Sequence, residues 1–398
     1  MMAESQHISS KFIPDRGPAR YFHGRKKILR NFNELLQYAS EKTWGTIFLI
    51  QGAPGAGKSA LLYECEKLAG SGGWKTSRIH APALWEVDEL RQSLDSKRKL
   101  NIEGGAAKVA IPGIAEAGVS AELPPQTVKG LLQKGKVPLL LILDEAQVLG
   151  TTNKPSGEQA KIASNVVDVV HNGTLGRPVV LIAGGLGTTL KSFEALGISR
   201  FAEDCFVELG ALSKKSERAV IQDWLNKEGR AKGDPTAWID AIAKETQGWP
   251  RHVQSYSKRA ADYLEARDGI MTVNGLKAVL EAGRRGRAVY YKQRVDRFRG
   301  DQIRCLAMSI AGVPHGKPAE YKDIMSLLVN EYGESKANKL FDRFIEKGLL
   351  EESGIGYAVP IPSMHTWLTE EYAFEKIEIP QDSQSKRISI EQNPGKER

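Results

Sequence analysis

A chain of 398 residues is too long for one compact domain, and its 41% hydrophobic and 26% charged content excludes a largely disordered protein. The formal net charge of +8, from 56 basic against 48 acidic side chains, suits a polyanionic partner without demanding one. Apolar runs stop far short of the ~18–20 residues of a membrane helix, and three well-separated cysteines (Cys65, Cys205, Cys305) suit the cytoplasm better than a disulfide framework or zinc site.

Residues 1–20 read as a loose basic arm with Pro14 and Pro18, lacking the apolar core of a secretory leader. Residues 21–210 alternate short apolar strands with helical patterns, the mark of an α/β domain with a parallel sheet. Strands are predicted at 46–51, 74–79, 137–143, 179–183 and 205–209, giving a parallel five-stranded sheet with helices on both faces. Leu61, Leu62, Cys65, Leu68 and Ala69 recur at helical spacing after the first strand. Ala163, Val166, Val167 and Val170 do the same before Asn172-Gly173 ends their helix. Residues 96–130, rich in Gly, Ala and Pro, break the rhythm as an inserted hairpin or loop, either plain or in contact with a partner.

Beyond residue 210 the pattern turns helical. Val220, Ile221, Trp224 and Leu225 share one face and Trp238, Ile239, Ile242 and Ala243 another, so residues 211–282 form a small all-α unit. A basic linker helix at 283–300 follows, with six arginines and Lys292 against Asp296 alone. Within 301–372, helices at 303–310, 320–332 and 335–347 precede two strand-like pieces at 349–352 and 357–361. Three helices and a hairpin are the order of a C-terminal winged helix. Residues 377–398 are polar and expected to be disordered.

The chemistry is concentrated in GAPGAGKS: Gly52, Ala53, Pro54, Gly55, Ala56, Gly57, Lys58 and Ser59. A strand runs into this loop and an amphipathic helix leaves it, the context in which G-x-x-x-x-G-K-[ST] wraps backbone N–H groups around phosphates. Lys58 is placed to neutralise the β- and γ-phosphates, and the Ser59 hydroxyl to bind Mg²⁺. The apolar run Leu140–Leu143 reads as a strand buried on both faces, and Asp144-Glu145 emerge at its C-terminal end, where α/β sheets bind ligands. Asp144 then serves Mg²⁺ through water and Glu145 polarises an attacking water as general base. The strand at 179–183 is the candidate to lie between those two strands. The Gly-rich segment 184–189 after it is either a plain turn or brings the hydroxyl of Thr188 or Thr189 to the γ-phosphate or the water.

Phe22-His23-Gly24-Arg25, the phosphate loop, Asp144-Glu145-Ala146-Gln147 and Gly248-Trp249-Pro250-Arg251 together resemble the AAA+ ATPases, a class of P-loop NTPases. Nearest are the origin-recognition-type and STAND branches, with some likeness to ATPases that regulate transposition, over about residues 20–270. The resemblance implies an ATPase core followed by a helical lid. It also implies that His23, Gly24 and Arg25 frame the adenine, and that Arg200 corresponds to the arginine finger that a neighbouring subunit receives. Arg251 falls at the second sensor position. The Gly-x-Pro form is the STAND pattern, in which Pro250 governs a nucleotide-dependent hinge.

Lys336, Lys339 and Arg343 lie on the outer face of the third C-terminal helix, as a DNA-recognition helix requires and as a solvated face also shows. Arg284, Arg285, Arg287, Lys292 and Arg294 interleave with Tyr290 and Tyr291, suiting either double-stranded DNA or an acidic partner. No histidine pair has metal-ligand spacing. The expected protein is a Mg²⁺-dependent ATPase acting on DNA or a DNA-associated complex, as a homo-oligomer or with a protein partner and away from membranes. The alternative is a slow STAND-like nucleotide switch.

Overall fold

The computed structural model describes residues 17–43, 45–80, 125–133, 135–150, 157–171, 175–198, 201, 203–314 and 317–373. Five parallel strands form the central sheet: β1 (Gly45–Gly52), β2 (Lys75–His80), β3 (Leu139–Asp144), β4 (Val179–Gly185) and β5 (Phe206–Leu209). Their order is β2-β3-β4-β1-β5, so β4 does lie between the phosphate-loop strand and the strand ending in Asp144. All five predicted strands are present: β1, β3 and β4 are buried on both faces, which demands the continuous apolar runs that mark them in sequence, while the edge strands β2 and β5 are partly exposed.

Side chains alternate across the sheet with the period of two that a strand imposes. Phe48, Ile50, Leu140 and Ile142 point to the face covered by α1 (Lys26–Lys42) and α2 (Lys58–Ser71). Ile47, Leu49, Leu139, Leu141 and Leu143 point to the other, covered by α3 (Pro125–Gln133), α4 (Gly157–His171) and α5 (Thr189–Ala195). Each such aliphatic contributes about 1.5–3 kcal/mol by leaving water. Within the segment expected as an insertion, residues 125–130 belong to α3; residues 96–124 lie outside the described residues, as do residues 377–398 and most of the arm.

The lid comprises α6 (Lys214–Asp223), α7 (Thr236–Thr246) and α8 (Pro250–Glu265), packed around Trp224, Trp238 and Tyr256. A 23-residue helix, α9 (Val273–Val295), starts at a Thr272 cap and runs straight through the boundary expected at 282/283. Lid and basic linker therefore share one rod. The C-terminal module contains α10 (Gly300–Ala311), α11 (Tyr321–Tyr332) and α12 (Glu334–Glu346), then the antiparallel hairpin β6 (Glu351–Ser353) and β7 (Gly356–Ala358). A bridge between Ala319 and Tyr357 adds a third short edge. The sequence reading missed α13 (Pro362–Leu368), whose Met364 and Leu368 are buried. Seven residues starting at a proline give too little periodicity to register.

Core, lid and C-terminal module meet. The apolar cluster on the α1/α2 face continues through Trp249 and Tyr291 into the C-terminal helices. His252 of α8 bonds the Tyr291 hydroxyl at 2.8 Å, and that hydroxyl lies 2.7 Å from Ser363 Oγ at the start of α13. Among the described residues no helix is long and apolar enough to cross a membrane.

Candidate functional site

Between β1 and α2 the chain needs backbone conformations that favour glycine, with Gly55 at φ 86° and Gly57 at φ 92°. A Cβ on Gly55 would come within 2.9 Å of Trp249 Nε1 and 3.1 Å of Arg251 Cβ, so the lid rests directly on the loop. Lys58 curls back, its Nζ donating to the Gly52 carbonyl at 2.8 Å and the Ala53 carbonyl at 3.1 Å. Burial pushes the amine down to about 8 against the opposing pull of Glu145 and Asp144. A partly buried cation whose hydrogen bonds, among the described residues, go to neutral carbonyls is suited to receive an anion.

At the end of the loop, Ser59 Oγ lies 3.3 Å from Asp144 Oδ2, so hydroxyl and carboxylate converge as a shared Mg²⁺ would require. Glu145 has φ 58°, a left-handed conformation that costs a non-glycine residue of order 1 kcal/mol and concentrates at functional sites. Gln147 Nε2 donates to Glu145 Oε2 at 2.6 Å, while Gln147 Oε1 accepts from the Leu186 N–H at 3.0 Å. The acid is thus tied to the loop that follows β4. The sequence reading assigned no role to Gln147; its position two residues past the acid was the available signal.

Of the two threonines left open, Thr189 is used within its own turn, its hydroxyl donating to the Leu186 carbonyl at 2.6 Å. Thr188 lines the cleft, and its buried hydroxyl has no hydrogen-bond partner among the described residues. A buried hydroxyl without a partner calls for a ligand or water.

The cleft between core, lid and C-terminal module has a volume of about 930 Å³. Nine Arg and Lys side chains line it against three acidic ones, Asp144, Glu145 and Glu346. Residues 17–20, expected in a loose arm, instead form part of its wall: Arg20 pairs with Glu228 at 2.6 Å and Gln254 donates to the Tyr21 carbonyl at 2.9 Å. His23 and Arg25 also line it, His23 pairing with Asp223 at 2.7 Å and Arg25 donating to the Gly210 carbonyl. Gly24 is a turn residue instead, at φ 82° with a Cβ position 2.8 Å from Ser216 Oγ. Gly52 and Ala53 contribute carbonyls to Lys58, while Pro54 through Ser59 face the cleft.

Pro250 begins α8, and the Arg251 N–H donates to the Gly55 carbonyl at 3.2 Å. Gly248, at φ 74°, is fixed by the buried Glu217, which accepts from its N–H and from the Thr246 hydroxyl, each at 2.6 Å. The Arg251 guanidinium stacks 4.4 Å from the Tyr290 ring centroid. Ser199 and Arg200 lie outside the described residues.

The basic stretch is divided among several partners. Arg284 and Arg287 pair with Glu245 of the lid, the latter at 3.3 Å, and Arg285 lies 3.7 Å from Glu281. Arg294 and Arg297 line the cleft, while Lys292 is exposed. On α12, Lys336, Lys339 and Arg343 are exposed above buried Ala337, Leu340, Phe341 and Phe344. Arg343 also donates to the Arg297 carbonyl at 3.1 Å.

No protein-family model matches the sequence, and no curated protein matches it. Solved structures do. The Walker-type ATPase PABY2304 of Pyrococcus abyssi superposes with a TM-score of 0.59 at 15% identity, covering 90% of this chain and 99% of that one. The Aeropyrum pernix ORC2 protein, in ADPNP–ADP complexes, gives 0.56 at 12% identity, covering 90% and 95%. At such identities the likeness is one of fold: the chain has an AAA+ fold of the origin-recognition type.

Proposed function

We propose that this protein binds and hydrolyses ATP in the cleft between core and lid, and that it uses the resulting movement on DNA or a DNA-associated complex. The observation that carries the reading is the convergence of the Gly52–Ser59 loop, the Asp144–Glu145 pair and the unpartnered Thr188 hydroxyl in one strongly cationic cleft. A triphosphate fits this donor set: the loop and Lys58 take the phosphates, and the space bounded by Tyr21, His23 and Arg25 takes the base. Ser59 and Asp144 would hold Mg²⁺, which supplies charge neutralisation of the phosphates when bound.

Glu145, oriented by Gln147, receives a proton from water as its oxygen bonds to the γ-phosphorus. The bond from that phosphorus to the bridging oxygen breaks and ADP leaves with the electron pair. Thr188 donates to the γ-phosphate or the water, and most of the acceleration comes from positioning and charge. DNA contact is assigned to the exposed face of Lys336, Lys339 and Arg343 in a winged-helix module. Arg284 and Arg287, engaged by Glu245, are secondary. Assembly with other copies of the chain would supply Arg200 in trans.

A second reading, a slow nucleotide switch, draws on the docking of the C-terminal module over the loop. The Tyr290 hydroxyl donates to the Pro54 carbonyl at 3.2 Å, and a Cβ on Gly348 would lie 2.9 Å from Pro54 Cδ. ATP turnover with and without double-stranded DNA, at low and moderate salt, separates the two. The first reading predicts DNA-stimulated turnover that fades with salt and vanishes in Lys58→Ala. Tight binding without turnover under every condition supports the switch.

A further inference from the structure

Arg294 was read from the sequence as part of a DNA-binding stretch, but its surroundings point elsewhere. It lies one turn beyond Tyr290 on α9 and lines the cleft together with the phosphate loop. Its Nη2 donates to the Lys347 carbonyl at 3.2 Å and its Nη1 to the Tyr290 hydroxyl at 3.4 Å. Its Nε is buried and has no hydrogen-bond partner among the described residues. No carboxylate among them holds the guanidinium, in contrast to Arg284 and Arg287 on the same helix, which share Glu245. A half-buried guanidinium satisfied only by long bonds to neutral oxygens is an incompletely paired charge, and an anion of matching geometry removes the deficit.

Lys58 faces the same deficit in the same cleft, and the charge of Arg294 is one cause that holds its amine down. Two cations that repel in one cleft are both relieved by a group of several negative charges placed between them. A nucleoside triphosphate on the loop presents that group, and an adenosine or a monophosphate does not.

We propose that Arg294 is a phosphate ligand supplied from within the same chain, and that a bound triphosphate draws its guanidinium off the Lys347 carbonyl at the end of α12. This rests on the nucleotide reading of the cleft. It makes Arg294 the residue through which phosphate occupancy reaches the C-terminal module, since Lys347 leads directly through Gly348 into the hairpin.

The test is equilibrium binding of fluorescent ATP, ADP and AMP analogues to the full chain, comparing the wild type with Arg294→Ala, Arg294→Lys, Lys58→Ala and the exposed same-helix control Lys277→Ala. Loss of a charge-assisted bond predicts roughly ten- to hundredfold weaker triphosphate binding in Arg294→Ala, with AMP affinity and the Lys277→Ala control unchanged. Arg294→Lys, which keeps a cation and serves if the alanine variant misfolds, recovers part of the loss. Hydrogen exchange at residues 345–350 quickens on ATP addition in the wild type and not in Arg294→Ala. Wild-type triphosphate affinity in Arg294→Ala alongside a loss in Lys58→Ala overturns the proposal and leaves the nucleotide reading standing. Unchanged binding in Lys58→Ala removes that reading, and Arg294 with it. Exchange at 345–350 indifferent to ATP in the wild type overturns the link to the C-terminal module.

Discussion

The Tyr290 hydroxyl donates to the Pro54 carbonyl at 3.2 Å across 236 positions of the chain, tying the long helix to the phosphate loop. Its ring lies 4.4 Å from the guanidinium of Arg251 and 5.6 Å from that of Arg294, so one aromatic face system orders a cation from each of two helices. Cation–π contacts of this kind contribute ~0.5–2 kcal/mol each. Tyr290→Phe keeps the ring and should change nucleotide affinity by no more than a few-fold. Tyr290→Ala should weaken it about tenfold or more by releasing both arginines. Equal effects of the two variants in a binding titration would contradict this role.

Gly55 carries the contact between loop and lid. An alanine there meets both an unfavourable φ of 86° and the Trp249 ring nitrogen at 2.9 Å. Gly55→Ala is expected to remain folded, with near-wild-type circular dichroism, and to lose ATP-dependent thermal stabilisation. Retention of that stabilisation would show that the loop tolerates a displaced lid.

In the proposed reaction Gln147 orients Glu145 through the 2.6 Å bond donated by its Nε2. Gln147→Ala should lower kcat by about tenfold or more while leaving KM within a few-fold, as expected for a group that orients a general base. A rise in KM at constant kcat would assign Gln147 to nucleotide binding instead.

Much of this site was legible because its physics forces particular residues. A loop that turns its N–H groups inward needs Gly55 and Gly57, and a strand buried on both faces needs the run ending at Asp144. Residues 17–21 were not legible as cleft wall, because the contacts of Arg20 and Tyr21 with Glu228 and Gln254 span more than 200 positions. Nor was the direction of the arginines on α9. A charged helix face reads the same whether it meets solvent, Glu245 or a phosphate cleft, and only the path of the 23-residue rod decides. Thr188 and Thr189 were inseparable in sequence, since the turn consumes one hydroxyl and the choice depends on which carbonyl lies within reach.

His252 makes the joint between lid and C-terminal module sensitive to acid. Burial, with Arg287 and Arg251 nearby, pushes its imidazole down to about 3. The unfolded chain, titrating near ~6.5, takes up the proton first. The stability held by the neutral ring is therefore complete above that pH and is lost as pH falls toward 3, at no more than ~1.4 kcal/mol per unit. Thermal midpoints between pH 7 and 4.5 should fall more steeply in the wild type than in His252→Gln. Parallel curves would show that the ring charges without cost.

Glu351, at the start of the hairpin, works in the opposite direction. Burial and then the repulsion of Glu208 push its carboxyl up to about 7, with Lys58 offsetting part of the rise. A folded value above the unfolded one contributes stability that is fully present at low pH and is lost as pH rises through 7. Glu351→Gln should therefore gain stability relative to the wild type at pH 8 more than at pH 5. The same change removes a negative charge acting on Lys58, so triphosphate affinity should rise at pH 8. An advantage independent of pH would place the effect in packing.

The central claim is that Gly52–Ser59 and Glu145 form one hydrolytic centre for ATP, and single-turnover hydrolysis tests it most directly. Protein in excess over labelled ATP with Mg²⁺ is followed for phosphate release in the wild type, Lys58→Ala and Glu145→Gln. The expected pattern is release by the wild type, no bound nucleotide in Lys58→Ala, and ATP bound but uncleaved in Glu145→Gln. Cleavage by Glu145→Gln at the wild-type rate, or binding undiminished in Lys58→Ala, would contradict it.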